Sequence, residues 1–233
     1  MALAANAIIH DPAPGLQEKI ARRRRRALED AEIGRLLAAT EKEPARYGMT
    51  GPERALLYRF ALETGLRASE LRSLTPASVN VADLSRSTVT VAAAHSKHRR
   101  EDVLPMRRDL AEMLATFIRG RDRSARLLPV PRRTADMLRS DLKAAEIPAE
   151  DRSGRVVDFH ALRHTCITRL ARSGVAPAVA KDLARHSSIT LTMDHYTHTV
   201  IGDKYAALAS LPAIEADDGS EEKRATGTDD RRP

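Results

Sequence analysis

Five of the eight histidines in this chain fall within one stretch, Asp158 to His198: His160, His164, His186, His195 and His198. Arg163 stands between the first two, and Tyr196 lies near the end of the stretch. Imidazoles move protons near neutral pH, and a planar guanidinium binds oxyanions. No other part of the sequence gathers so many proton-transfer and anion-binding groups. A single helical histidine is more often packed or solvated than reactive, so the weight rests on the grouping.

The surrounding residues must hold these groups in place. Leu162, Cys166 and Leu170, with Ile167 and Ala171, recur at helical spacing from His160 to about Ser173. His160 and Arg163 lie three apart at the start of that helix, so their side chains sit side by side. The free N–H groups of a helix N-terminus suit an anion such as phosphate at the same end. Gly174 reads as the stop. Ala176 to Arg185 reads as a second short helix with Pro177 in its first turn. Ser187 and Ser188 can cap a third helix that carries Ile189, Leu191 and Met193 towards Tyr196. His160 and His164 are also four apart, a spacing that metal sites use. The zinc-protease pattern needs glutamate after the first histidine, and this chain has Ala161, so no metal site is expected.

Upstream, Leu28 to about Glu41 reads as an amphipathic helix through Ile33, Leu36 and Leu37. Thr50-Gly-Pro-Glu53 is a capping box with proline in the first turn, and the helix it opens runs to Thr64, where Gly65 stops it. Gly65-Leu-Arg67-Ala-Ser-Glu70-Leu then puts Arg67 at a junction between two helices, three residues before Glu70. From Ala77 to about Pro105 the period changes to that of strands: Val79 and Val81, then Thr88 to Val91, then Val103 and Leu104. The turn before the last strand, His95-Ser-Lys97-His-Arg99-Arg100, is strongly basic. Two more helices follow, Arg107 to Ile118 and Thr134 to Ala145. The stretches 120–133 and 148–155 read as loops, and Ile201 to Leu211 as a final apolar helix.

At 233 residues, 42% hydrophobic and 30% charged, the chain has the composition of a soluble protein with one sizeable domain plus tails. Its net charge is +7. The segment from Glu215 onward holds seven acidic and four basic residues, so the body before it carries +10. A basic body points to a polyanionic partner. With no Trp, four Tyr and three Phe, the chain is poorly equipped to stack unpaired bases, and duplex DNA held through its phosphates fits better. The single cysteine, Cys166, excludes an internal disulfide and fits a reducing cytoplasm, with a packing role for its thiol. Residues 1–27 read as a tail or linker whose run Arg22, Arg23, Arg24, Arg25 and Arg26 can lie on phosphates, and 212–233 as a disordered tail. The start lacks a signal-peptide pattern, and no apolar run approaches membrane-spanning length.

Three separated motifs carry a resemblance. His160-Ala-Leu-Arg163-His-Thr, Leu183-Ala-Arg-His186-Ser-Ser and Tyr196-Thr-His, preceded by Thr64-Gly-Leu-Arg67-Ala-Ser-Glu70-Leu, are similar to the C-terminal catalytic domain of the tyrosine recombinases, the phage-integrase family. The resemblance covers roughly residues 28–211. It implies an α+β, mainly helical fold with a small three-stranded antiparallel sheet. The activity it implies is site-specific cleavage and rejoining of double-stranded DNA through a covalent 3′-phosphotyrosine. Tyr196 becomes the nucleophile, Arg67 and Arg163 the clamp on the scissile phosphate, and Glu70 a carboxylate that orients Arg67. Lys97, eight residues before Pro105 as in the family, becomes the general acid. His160 accepts or relays the tyrosine proton and His186 donates to the phosphate, while Arg99 and Arg100 touch DNA phosphates. Neither metal nor cofactor is expected.

The resemblance further implies a tetramer on DNA from a protein that is monomeric without it, with 201–211 as the docking helix. Members usually carry an N-terminal helical clamp domain, and only some 27 residues precede the catalytic region here. The reading is therefore a short member, a remnant or an excised domain. Two alternatives stand beside recombination: a DNA-binding module that recombines nothing, and a relaxing enzyme of the type IB topoisomerase kind.

Overall fold

Local turn chemistry places the element ends in the computed structural model, which describes residues 24–97, 99–197 and 211. Helix α1 spans Asp30–Lys42 and α2 spans Gly51–Thr64. Thr50 caps α2 by accepting from the Glu53 amide at 3.3 Å, and the Glu53 carboxylate accepts from the Thr50 amide at 2.8 Å. Gly65 ends α2 in the left-handed region, φ 63°, where a Cβ is unwelcome. The short helix α3, Ala68–Ser73, starts directly after Arg67.

Three strands follow: β1 Val79–Asn80, β2 Thr88–Val91 and β3 Asp102–Pro105. They form one antiparallel sheet in the order β1-β2-β3, with Val79 opposite Val89, and Val91 opposite Asp102. Val79, Val89, Val91 and Leu104 face the core, while Val103 on the other face is exposed. One face is packed and one is wet, the usual arrangement for such a sheet. The expected α+β class and three-stranded sheet are what the fold contains.

Helices α4 (Arg108–Ile118), α5 (Thr134–Ala144), α6 (Phe159–Arg172), α7 (Pro177–Ala184) and α8 (Thr190–Thr197) complete the described elements. The chain divides into units 1–199 and 200–233, and the elements all belong to the first. No described helix is long and apolar enough to cross a membrane. The main core joins α2, α5, α6 and the sheet through Leu57, Phe60, Val89, Leu138 and Leu162. The 120–133 loop is more than a polar connection, because Leu127, Leu128 and Val130 are buried and the Leu127 amide donates to the Leu74 carbonyl at 2.8 Å.

Helix α1 begins two residues later than its apolar spacing suggests, because Leu28 is spent on another contact. Its side chain is fully buried, and its amide donates to Thr165 Oγ1 at 3.0 Å. Residues 24–26 lie against 156–158, with the Val156 amide donating to the Arg24 carbonyl at 2.9 Å and the Arg26 amide to the Val156 carbonyl at 3.2 Å. This packing begins before residue 28, where the expected linker ended.

A buried ionic group locks α2 to α5. Arg54, with no solvent exposure, donates to Asp141 through Nε (2.9 Å) and Nη2 (3.1 Å). Its Nη1 donates to the Pro44 and Met49 carbonyls, and the Tyr58 hydroxyl donates to Asp141 Oδ2 at 2.7 Å. Removing one partner strands a buried charge. Arg54→Ala is expected to destabilise the fold by about 3–5 kcal/mol in a denaturant titration. The triple change Arg54→Met, Tyr58→Phe, Asp141→Leu should recover most of that loss.

Candidate active site

The turn at Gly65 does two things at once. It delivers Arg67 to the start of α3, and its own carbonyl accepts from Arg163 Nη1 at 2.5 Å. Arg67 is then fixed by Glu70, whose carboxylate accepts from the Arg67 amide at 2.7 Å and from Nη1 at 2.9 Å. Glu70 is buried, 1% exposed. Burial alone raises its pKa, but the Arg185 hydrogen bond, the Arg67 amide and the charges of both arginines outweigh that and hold it below the usual carboxylate value.

Helix α6 opens with Asp158 as its cap, accepting from the Ala161 amide at 3.0 Å. The first turn therefore already holds an anion of its own, where the sequence suggested room for a phosphate. One turn later His160 and Arg163 project together into a pocket lined also by Arg67, Ala68, Thr134 and Asp158. Arg163 is buried, and its Nη2 donates to the carbonyl of Ala184 at the end of α7. Desolvation, with the cations Arg67 and Arg185, pushes its pKa down to about 10, so it stays charged at neutral pH. His164 points elsewhere and stacks on His195, with ring centres 4.4 Å apart. His160 and His164 thus serve two different cavities despite their helical spacing.

His186 follows the left-handed end of α7, and its Nδ1 shares a hydrogen bond with Thr192 Oγ1 at 2.9 Å. Desolvation first, then the charges of Arg163, Arg67, His160 and Arg185, push its pKa down to about 4. His160 is exposed yet is also shifted down, by desolvation and by Arg25, Arg163 and Arg67. The site is therefore a cationic pocket with neutral imidazoles at its edge, suited to a phosphate and able to move a proton.

The structure brings Arg67, Glu70, His160, Arg163 and His186 together. Of these, Arg67, His160 and Arg163 line the pocket, while Glu70 bonds to Arg67 and His186 lies near enough to feel the charges of all three; Lys97 and Tyr196 are also outside the lining. Lys97 is exposed in the loop between β2 and β3. Tyr196 is buried beside Ala171 and Ala180, and its hydroxyl donates to the Val175 carbonyl. Burial alone raises its pKa. Among the arginines expected on DNA, Arg25 is paired with Asp158 at 2.8 Å and Arg26 with Glu32 at 2.7 Å. Arg24 and Arg99 are exposed, and Arg100, also exposed, reaches Asp102 at 3.3 Å. Arg22, Arg23, His198 and the 201–211 helix, Leu211 apart, lie outside the described residues. Cys166 is packed against the Gly65 turn with its thiol pushed up to about 11 by burial.

Sequence reasoning missed Arg185 and Asp102. Arg185 is 5% exposed and donates to Glu70 Oε2 at 2.8 Å, with Asp102 Oδ2 at 3.5 Å from Nη1. Both partners are far away in sequence, and no local pattern signals the contact.

A family model described as the phage integrase family matches residues 26–201. A tyrosine recombinase of Pseudothermotoga lettingae is 30% identical over 209 residues, covering 86% of this chain and 66% of that protein. The chain thus spans just under two thirds of that relative's length. Among solved structures, the catalytic domain of bacteriophage HP1 integrase matches with a TM-score of 0.58 and 25% identity, over 80% of this chain and 95% of that one. The Tn1549 transposon integrase, solved in complex with transposon right end DNA, matches with a TM-score of 0.61 at 19% identity, over 81% of this chain and 66% of that one.

The depressed histidines give the fold a pH signature. Unfolded, His186 takes up its proton near 6.5; folded, it does so near 4. Between those values the unfolded chain binds more protons, so stability falls as the pH drops through that window. His160 and His164 add in the same direction. Thermal unfolding followed from pH 7 to pH 4 should show this loss, and His186→Gln should flatten part of it.

Proposed function

This chain belongs to the phage integrase family, and from that membership we propose that it cuts and reseals double-stranded DNA through a 3′-phosphotyrosine. The observation that carries the reading is the meeting of Arg67 and Arg163, from separate helical segments, with His160 in one pocket. Two guanidinium forks on the non-bridging oxygens of a phosphodiester offset the charge that grows as a fifth oxygen joins phosphorus. Such a clamp does electrostatically what positively charged groups do in other phosphoryl-transfer sites.

In the forward step the Tyr196 oxygen bonds to phosphorus as the bond to the 5′ oxygen breaks. The phenol proton passes to neutral His160, and Lys97 protonates the departing 5′ oxygen. With Nδ1 of His186 engaged by Thr192, its Nε2 is left to face a phosphate oxygen. The phosphotyrosine ester keeps the energy of the broken diester, so rejoining needs no nucleotide. Tyr196 lies away from the clamp, so the step requires α8 to move and the Lys97 side chain to swing inward from a loop whose base stays anchored through Ser96 and Asp102. DNA-bound relatives of the same fold support a duplex substrate. We place the activity in the cytoplasm, with four copies assembling on two duplexes when strands are exchanged.

The target sequence can be bypassed by selection. Nicked duplexes of randomised sequence, from which a cut strand diffuses away, are incubated with the chain and screened for adducts that survive denaturation. Wild type is expected to yield such adducts and Tyr196→Phe none. Arg163→Ala should slow their formation by about 10²–10³-fold, the cost of losing a donor to a developing oxyanion. Adducts that persist in Tyr196→Phe would overturn the assignment of the nucleophile.

A further inference from the structure

Arg185 sits where a glycine is the ordinary choice. It closes α7 with φ 52° and ψ 46°, in the left-handed region that side chains with a Cβ rarely adopt. Its side chain is nevertheless buried, 4% exposed, and bridges two carboxylates from distant elements. Nη2 meets Glu70 Oε2 at 2.8 Å, and Nη1 meets Asp102 Oδ2 at 3.5 Å. Each carboxylate has a second contact. Glu70 Oε1 holds Arg67 Nη1 at 2.9 Å. Asp102, the first residue of β3, accepts from Ser96 Oγ at 2.7 Å, and Ser96 directly precedes Lys97.

A continuous run of contacts therefore leads from Arg67 through Glu70, Arg185 and Asp102 to the base of the Lys97 loop. Buried ion pairs are weak devices for stability, because desolvation cancels much of their attraction. Backbone strain kept next to a reactive group points to a role in the reaction. We propose that Arg185 is a positioning residue that fixes the loop bearing Lys97 in register with the carboxylate aiming Arg67. The proton donor and one arm of the phosphate clamp are then held by the same guanidinium. The inference rests on the strand-cleavage reading above and on Lys97 as the donor within it.

The test uses a duplex selected on the wild-type chain, made in two forms: one with the ordinary 5′ bridging oxygen, one with sulfur in its place. In both, the Tyr196 oxygen bonds to phosphorus and the bond to the bridging atom breaks. Oxygen must leave with a proton from the general acid, whereas sulfur leaves as a thiolate without one. A chain whose donor is misplaced therefore fails selectively on oxygen. Arg185→Gly, which also removes the backbone strain, is expected to lose roughly 10- to 100-fold on the oxygen duplex, the usual range when an outer partner of a site is removed. On sulfur it should recover most of that loss, as Lys97→Ala should. Asp102→Asn should show the same preference.

Arg185→Lys keeps a charge but loses the two-pronged contact, and it is read in the same way should the glycine variant not fold. Equal slowing of the Arg185 variants on both duplexes, or no slowing on either, would overturn the inference while leaving the cleavage reading intact. Selective loss in Arg185→Gly without selective loss in Lys97→Ala would overturn it too, since the donor would be another group. A wild-type chain that forms no adduct with either duplex would sink the cleavage reading and this inference with it.

Discussion

The site depends on how the Arg163 charge is held. A buried guanidinium needs acceptors for its donors, and a carboxylate is the usual solution. Here the two acceptors are backbone carbonyls, those of Gly65 and Ala184. They satisfy hydrogen bonds without cancelling a unit charge, so the positive field stays available to an anion. The arrangement also ties the end of α2 to the end of α7 through α6, the three segments that carry Arg67, His186 and His160. The left-handed Gly65 matters for this reason, because its turn aims the carbonyl that receives Arg163.

The remaining charges are arranged around that choice. Three guanidinium groups, on Arg67, Arg163 and Arg185, are set against two carboxylates, Glu70 and Asp102, and Arg100 adds a further cation at Asp102, so positive charge is in local excess. Desolvation is the larger cause of the lowered histidine pKa values, and the repulsion an imidazolium meets beside these arginines adds to it. Together they keep His160 free to accept a proton. On the proposed chemistry a phosphodiester brings one negative charge, which offsets part of that excess and draws the imidazoles back towards protonation.

Most of the architecture was legible because its signals are local. The capping box at Thr50, the stop at Gly65, the strand alternation through Val89 and Val91, and the apolar spacing of α6 each depend on neighbours within a turn or a hairpin. Arg67, His160, Arg163 and His186 were legible through motifs whose spacing reflects those same elements. What remained hidden is non-local. Arg185 reads as the last residue of a short helix, yet its partners lie 115 and 83 residues away. Arg25 and Arg26 read as free charges in a basic run, yet Asp158 and Glu32 take up their guanidinium groups. A charge run states how many cations there are and is silent about which of them the fold has already paired.

Tyr196 illustrates the same limit and carries a mechanical consequence. Its hydroxyl faces the Val175 carbonyl beside Ala171 and Ala180, and among the described residues burial alone acts on its ionisation. On the proposed chemistry that seat must be vacated, which uncovers both Tyr196 and the fully buried Thr192. Leu191 and Met193 on the outer side of α8, like Ile189 just before it, are exposed, so moving the helix strips little apolar contact from them. The polar contacts that hold it to the rest include Thr192 to His186, His195 to Thr168, and Tyr196 to Val175. Each polar contact is worth only about 0.5–1.5 kcal/mol net, because water replaces what is lost. The Thr192 contact also orients His186, so a shift of α8 that frees the tyrosine also loosens the ring meant to face the phosphate. Release of the tyrosine and loosening of the His186 ring are then one motion, because Thr192 and Tyr196 ride on the same helix.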